Sequence, residues 1–567
     1  MSQVFDYPRL WLRRTLDELD SDELHLNAKE AVMQQVSSEL AAAAVPIIEG
    51  ILPGREAQRH LATFHDAAVA VATRFIAQRS GIEWLWYLRR APQLFAFNRL
   101  RGTRIYCASI AEQLCATSPT QRAIPPDGRY SLEINDVYDL LYLRELVGLV
   151  YNVHSAIRWA GKGTPIRFSG YASPKAEPSL ELRDSVRIYD ERRDQVPPEV
   201  LAKMGLLLNA PEGDERNGEL PLIVVGELEE VTPLSVPGNH ELVFKSLEAG
   251  YQIGRLDLSV FNPLFSGPQT MGETLARQMA CAVVGLVSLS HPTIFGSVGF
   301  SASGVALANI MNVGYELTTL DEFHARCEWA IAALDSLGYP SWISDLAVSA
   351  EHVIEVLSSV PISIYPPRLG RAVWHALDNG VLINWSAMTR LLLESIERVG
   401  SGGAEANVWA STFEERVQAW VNLSGWSPPP ELAQLRGRTL RRSGRSITDV
   451  DAIGERQGQL LLISCKGRAL TEAFERGDYS EVRNARSDAE QALTSLRDVI
   501  TNLRQEPIGD NFNFSECQEI VGVVVYPFLP YVGPEWMGAE AIPGLPAIVS
   551  GPEFLKFLDI DPFTLGH

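Results

Sequence analysis

The sequence predicts a multidomain α+β protein: a largely helical N-terminal part, a β-containing middle unit and a C-terminal α/β domain. Three observations carry this. The chain has 567 residues, several times the ~100–200 of a single domain. Its apolar residues recur at three- and four-residue steps in two long stretches and alternate in short runs bounded by Gly, Pro and Asp elsewhere. With 46% hydrophobic and 21% charged residues, 43 Gly and 34 Pro, the composition is globular and excludes a mainly disordered, collagen-like or coiled-coil chain.

Taken in order, residues 1–164 read as a helical domain, from segments such as LAAAAVPIIEGIL and VYDLLYLRELVGLVYNVHSAI. Residues 165–268 read as a β-rich unit built on PIRFSGY, LELRDSVRIYD, LPLIVVGEL, HELVFKS and GRLDLSVF. Helical periodicity returns over 269–399 and ends in WSAMTRLLLESIERV, after which Gly400-Ser401-Gly402-Gly403 suits a linker. Residues 405–567 then run helix (ASTFEERVQAWVNL), strand (about 434–442), strand (SITDVDAIG), strand (QLLLISCKG), helix (about 480–504), strands (EIVGVVVYP, LPAIVS) and a short helix (PEFLKFL). That order predicts a sheet flanked by helices.

Charge and cysteine usage narrow the function classes. Lys and Arg number 49 against 70 Asp and Glu, a net charge of −21, so any contact with phosphates must come from local basic patches. The six cysteines show neither CxxC nor Cys/His ligand spacing, which excludes a disulfide framework and a structural zinc site. MSQVFDYPRLWLRR has no apolar signal core, and the expected location is cytoplasmic. Residues 278–315 lack Asp, Glu, Lys and Arg, but His291-Pro292 and several glycines interrupt them, so buried core is expected and no membrane span.

The chemistry concentrates in SITDVDAIGERQGQLLLISCKG, residues 446–467. Two strands joined by the polar GERQGQ turn would set Asp449 and Asp451 on one face of the first strand, and Ser464 and Lys466 on one face of the next. An acid and a lysine would then meet across neighbouring strands. Phosphodiester hydrolysis needs such a pairing: a carboxylate to hold a hard divalent cation, and a cation to orient water and offset developing negative charge.

At these residues the sequence resembles the PD-(D/E)xK, or restriction endonuclease-like, nuclease superfamily, over roughly 405–560. Asp451 matches the first acid, LLLI the aliphatic run, Lys466 the lysine and Phe413-Glu414 the preceding helix acid. Helical geometry favours Glu414 over Glu415, because Glu414 borders the apolar stripe of Trp409, Phe413, Val417, Trp420 and Val421 whereas Glu415 faces away. Gln491, matching the family's helix glutamine, falls opposite its helix's stripe of Val482, Ala485, Ala489, Leu493, Leu496 and Ile500. The resemblance implies a restriction endonuclease-like fold and metal-dependent cleavage of nucleic acid, DNA favoured. Catalysis would rest on Asp451, Lys466, Glu414 and Gln491, with Mg²⁺ or Mn²⁺ held by Asp451, Glu414, the Cys465 carbonyl and Asp449. The cysteine's own side chain alternates away from Lys466 and reads as core.

Ser464 departs from the pattern, since the family's second acid belongs there. Three outcomes stay open: Asp451, Glu414 and the Cys465 carbonyl suffice; Asp449 substitutes; or the domain is an inactive nucleic-acid-binding or scaffold subunit. Just upstream, LRGRTLRRSGR carries Arg436, Arg438, Arg441, Arg442 and Arg445 with no acid, a patch suited to phosphates, the alternative being a solvated hairpin. The architecture is similar to restriction or anti-phage defence proteins, in which the front of the chain would sense, target or assemble with itself or with partner subunits.

Other motifs fall away. Trp159-Ala160-Gly161-Lys162-Gly163 lacks the earlier glycine and the Ser/Thr of a phosphate loop, and Gly299-Phe300-Ser301-Ala302-Ser303 misses the nucleophile elbow at its last position. Residues 74–106 interleave arginines with Trp84, Trp86, Tyr87 and other rings; core aromatics beneath solvated arginines is the favoured reading, single-stranded nucleic acid the alternative.

Overall fold

Helical periodicity in the first part of the chain becomes a bundle whose helices share one buried face. The computed structural model describes residues 22–91, 103–116, 133–193, 222–233, 248–256, 273–295, 310–337, 346–358, 374–377, 380–397, 403–468 and 471–560, with Thr15, Ser118 and Tyr130 as single positions. These fall into two units. One draws on Met1–Glu177, Ala202–Leu258 and Arg277–Ile396, the other on Pro178–Leu201, Ser259–Ala276 and Glu397–His567.

The first unit opens with α1 (Asp22–Ala42), α2 (Gly54–Ile76), α3 (Gly81–Leu88), α4 (Thr103–Ala116) and α5 (Ile134–Gly161). Val36, Leu61, Val71, Trp84, Leu114 and Leu146 close one core between them, and an antiparallel sheet of β1 (Glu49–Leu52), β2 (Ile166–Ser169) and β3 (Lys175–Ala176) packs against it through Ile166 and Phe168. Trp84, Trp86 and Tyr87 are buried. Arg79 pairs with Glu83, Asp136 and Asp139 at 2.9, 2.6 and 2.6 Å, so it and the rings beneath it serve the core. Phe95, Phe97, Arg99 and Arg101 lie outside the described residues.

The middle of the chain departs from expectation at LELRDSVRIYD, which forms α6 (Leu180–Arg193) of the second unit. Its buried residues, Ser185, Val186 and Tyr189, have helical spacing. Ser179 accepts the Leu182 N–H at 3.2 Å as an N-cap, and Glu181 and Arg192-Arg193 suit the dipole at either end. LPLIVVGEL falls in β4 (Leu222–Pro233), which pairs antiparallel with β5 (Glu248–Leu256), a strand that begins before GRLDLSVF; HELVFKS and the rest of GRLDLSVF lie outside the described residues. Next come α7 (Glu273–Ser288), α8 (Pro292–Phe295), β6 (Tyr315–Thr318), α9 (Leu320–Leu337), α10 (Ala350–Ser358), β7 (Trp374–Leu377), β8 (Gly380–Asn384) and α11 (Trp385–Glu397). The antiparallel sheet β6-β8-β7 is an addition to the all-helical reading of this stretch. Buried Arg89 joins it to the bundle: the guanidinium pairs with Glu112 at 2.7 Å, donates to Asn384 and Ser386 at 3.0 and 3.2 Å, and stacks over Tyr251. Among the described residues no helix is long and apolar enough to cross a membrane.

The second unit continues with α12 (Gly403–Leu423), α13 (Pro430–Ala433), β9 (Thr439–Arg442), β10 (Arg445–Asp449), β11 (Ala452–Arg456) and β12 (Gln459–Cys465). After them come α14 (Glu472–Glu475), α15 (Tyr479–Gln505), β13 (Glu519–Tyr526), α16 (Pro534–Met537), β14 (Glu540–Ile542), β15 (Leu545–Pro546), β16 (Ile548–Ser550) and α17 (Gly551–Phe557). A mixed sheet runs β11-β12-β13-β16. β11 and β12 are antiparallel through a two-residue turn at Gln457-Gly458, both with positive φ, whereas β12, β13 and β16 are parallel. One face buries Leu461, Ile463, Cys465, Val521 and Val523 under α12 and α17; the other buries Leu460, Leu462 and Ile520 under α15. Arg192 of α6 fastens the far edge by pairing with Glu553 at 2.7 Å and donating to the Ile548 carbonyl at 2.6 Å.

Candidate active site

SITDVDAIG is two strands. Among the described residues β10 pairs with β9 alone, in a ribbon closed by a Ser443-Gly444 turn whose N–H groups Asp510 accepts at 2.9 and 2.8 Å. Val450 then turns inward, 3% exposed, with its N–H and C=O bonded to Arg438 and Gly437. The strand is interrupted here: β10 ends at Asp449, which is exposed and accepts the Thr439 hydroxyl, while Asp451 sits half-buried just before β11, near enough for the Asp449 charge to raise its carboxyl. The expectation that both share one strand face is thus corrected.

Period-two alternation holds along β12. Cys465 is buried beneath α12, and Ser464 and Lys466 face α15. Asp451 lies across from the strand's end, accepting the Cys465 N–H at 2.8 Å and the Ser464 hydroxyl at 3.5 Å. Because the N–H and C=O of a strand residue point to the same edge, the Cys465 carbonyl is directed to this side too. Lys466 continues the parallel ladder through its N–H to the Val525 carbonyl, 2.9 Å.

Two residues that sequence reasoning passed over bring Glu414 here. Gln418, buried in α12, donates from Nε2 to the Ile453 carbonyl at 3.0 Å and accepts the Ile453 N–H at 2.9 Å. It acts as a side-chain substitute for a further strand on the sheet's β11 edge. Glu414 stands one helical turn before Gln418, and Asp451 two residues before Ile453, so this clamp fixes one acid against the other. Gly467 permits the close approach of the strand end to the helix, since a Cβ there would lie 2.6 Å from the Ala410 Cα, one turn before Glu414. Glu414 is half-buried and Glu415 exposed, as the helical spacing predicts.

Electrostatics bind the group together. Burial raises the Glu414 carboxyl above its ordinary range; the Asp451 charge adds to the rise, and Lys466 and Arg436 oppose it. Burial likewise raises Asp451, against the lowering effects of the Cys465 N–H and Lys466. A carboxyl raised on folding holds its proton more tightly in the folded state, so its ionisation costs stability. That cost is absent below the ordinary carboxylate range and complete once pH has passed the raised value. Asp451→Asn keeps an acceptor for Cys465 and discards the charge. Its melting midpoint in EDTA is expected above the wild type's at about pH 7, with the gain vanishing near pH 3; a gain that ignores pH would sink this account.

A cleft of about 330 Å³ opens between α15 and the β10–β12 side, lined by Lys466, Ser464, Asp449, Asp488 and Gln491 over apolar residues that include Leu462. Gln491 is exposed and opposite its helix's buried stripe, as expected, yet the cleft brings it beside Lys466. The residues at 488, 491, 492, 495 and 499 share one helical face that the single apolar stripe did not signal.

The arginines divide. Arg442 is used structurally, tying the ribbon to the end of α15 through Asn502 at 2.7 Å, Glu506 and the Ile508 carbonyl, and lying over the Phe512 ring. It is removed from the phosphate-contact set, because these partners occupy its donors. Arg436, Arg438, Arg441 and Arg445 are exposed and, among the described residues, their guanidiniums pair with no carboxylate.

Among the described residues no three His, Cys, Asp or Glu side chains form a ready-made metal group. Asp449 accepts the Thr439 hydroxyl and its charge adds to the rise of the Asp451 carboxyl, but with Glu414 and Asp451 it does not complete a ready-made three-carboxylate group among the described residues. The remaining donors fit a hard divalent cation by their chemistry: burial raises both carboxyls and the Asp451 charge raises Glu414 further, a repulsion that a positive ion would relieve.

No family model, curated protein or solved structure matches the chain.

Proposed function

We propose that the chain is a metal-dependent endonuclease of the PD-(D/E)xK type acting on nucleic acid, DNA favoured, with a restriction endonuclease-like C-terminal domain. The observation that carries the reading is the convergence of Glu414, Asp451 and Lys466 at one end of a mixed sheet, next to an arginine-bearing ribbon. Mg²⁺ or Mn²⁺ bound by Glu414, Asp451 and the Cys465 carbonyl would neutralise phosphate charge and acidify water. Lys466, whose ammonium has no carboxylate partner within bonding distance among the described residues, orients the attacking water and offsets charge as it develops on the phosphate. Ser464, 3.5 Å from the Asp451 carboxylate, stands where the family's second acid would add a further ligand to the ion.

The exposed arginines grip the backbone without reading sequence. Arg441→Ala and Arg445→Ala are each expected to weaken binding and to reduce the salt slope by about 1. Arg442→Ala is instead expected to lower the melting midpoint, because Asn502, Glu506 and the Ile508 carbonyl lose their donor. Equal slopes for the wild type and Arg441→Ala would remove the ribbon from the interface.

The first unit would supply sensing, targeting or assembly for a restriction or anti-phage defence effector in the cytoplasm. A second reading follows from the missing third carboxylate: a nuclease-like domain that binds nucleic acid or a partner without cutting. Cleavage of linear duplex, circular and single-stranded DNA and of RNA, each with Mg²⁺, Mn²⁺ or EDTA, decides between them. Metal-dependent cutting supports the first, and salt-sensitive binding with no cutting supports the second.

A further inference from the structure

We infer that the cleft between α15 and the β10–β12 side of the sheet is a nucleobase subsite, so that the preferred substrate presents an unpaired base beside the scissile phosphate. This rests on the nuclease reading and names the substrate class of that site: single-stranded nucleic acid, or a duplex from which a base can turn out.

Size is the first argument. About 330 Å³ lies within the range of small-ligand pockets and suits one base with part of its sugar. A helix or strand of nucleic acid cannot enter it whole.

The distribution of polar groups is the second. A pocket for phosphate alone would be basic throughout, whereas here Lys466 shares the lining with Asp449 and Asp488. Asp488, paired with Arg468, is among the residues that line the cleft. Acidic lining turns a phosphate away and accepts ring N–H and exocyclic amino donors from a base. The Gln491 amide can donate and accept on the same edge, while Leu462, Leu496 and Val499 offer aliphatic surface to the flat faces.

Position is the third. Ser464 and Lys466 line the cleft, and the same two residues act on Asp451, by the 3.5 Å hydroxyl contact and by charge. A base seated against α15 would therefore leave its phosphate at the carboxylates and the arginine ribbon. A stacked, paired base cannot reach such a site without being extruded, and the cost of extrusion is least in a single strand or at a mismatch.

The test uses the full chain in EDTA, where binding is read without cleavage, and an unstructured DNA oligonucleotide carrying one 2-aminopurine, with its blunt duplex as comparison. The base's fluorescence should change on binding in the single strand and far less in the duplex. Ser495→Phe and Ala492→Leu, which narrow the cleft from two positions of α15, should each weaken single-strand binding about tenfold and leave duplex binding by the ribbon unchanged. Unchanged single-strand affinity in both variants, with normal melting midpoints, overturns the subsite. Cleavage assays on the same proteins separate the two readings. Cutting that ignores Ser495→Phe and Ala492→Leu removes the subsite and keeps the nuclease, whereas base-dependent binding with no cutting in any metal keeps the subsite and removes the nuclease.

Discussion

Lys466→Met is expected to cut metal-dependent cleavage by about 10²–10⁴-fold while leaving the fold intact. The side chain lines the cleft and, among the described residues, has no carboxylate partner whose ion pair would be lost, and methionine preserves the aliphatic stem. The electrostatic consequence has a definite sign. Lys466 lowers the carboxyls of both Glu414 and Asp451; without it both rise further, and the acid limb of the pH–rate profile moves to higher pH. Asp451→Asn should abolish cleavage with an equal or higher melting midpoint. If Lys466→Met cleaves at the wild-type rate with an unmoved acid limb, Lys466 is not the catalytic cation. Loss of rate with no movement of the limb would mean that Lys466 acts on substrate alone.

Much of this site was legible because it depends on local periodicity. Strand alternation separated Cys465 from Ser464 and Lys466, and helical spacing chose Glu414 over Glu415, since both rules concern neighbours in sequence. The break at Val450 was not legible: Asp449, buried Val450 and Asp451 obey the alternation of one strand, and only the change of pairing, β10 with β9 and β11 with β12, ends the strand at Asp449. Arg442 could not be told from its four neighbours, because what distinguishes it is the distant loop after α15. The helix at Leu180–Arg193 carried signals that could have found it, namely Ser179 ahead of it, an acid in its first turn and two arginines in its last. The sheet β6-β8-β7 consists of strands of four or five residues, too short for periodicity to separate from the helices around them.

Gln418 exerts the largest structural leverage on the site. Its amide satisfies both backbone groups of Ile453 on the sheet's edge, and Ile453 itself is fully buried. Gln418→Leu fills a similar volume but leaves a buried N–H and a buried C=O unpaired, at about 1–3 kcal/mol each. Water cannot easily replace the amide, because Val417, Val421 and Trp426 close the surrounding core. The expected outcome is a markedly lower melting midpoint and, at temperatures where the variant is folded, a loss of cleavage that exceeds the fraction unfolded. The excess arises because α12 is then free to shift on β11, and Glu414 moves with it relative to Asp451. Gln418→Glu separates the two effects: protonated, its carboxyl can donate to the Ile453 carbonyl and accept its N–H, though not also donate to Asn422 as the amide does, so the variant should recover part of the stability and the Glu414 alignment as pH falls and lose both as it rises. Cleavage that tracks only the folded fraction in Gln418→Leu would mean that Glu414 needs no such anchoring, and would leave Asp451 and Lys466 as the groups on which the chemistry rests.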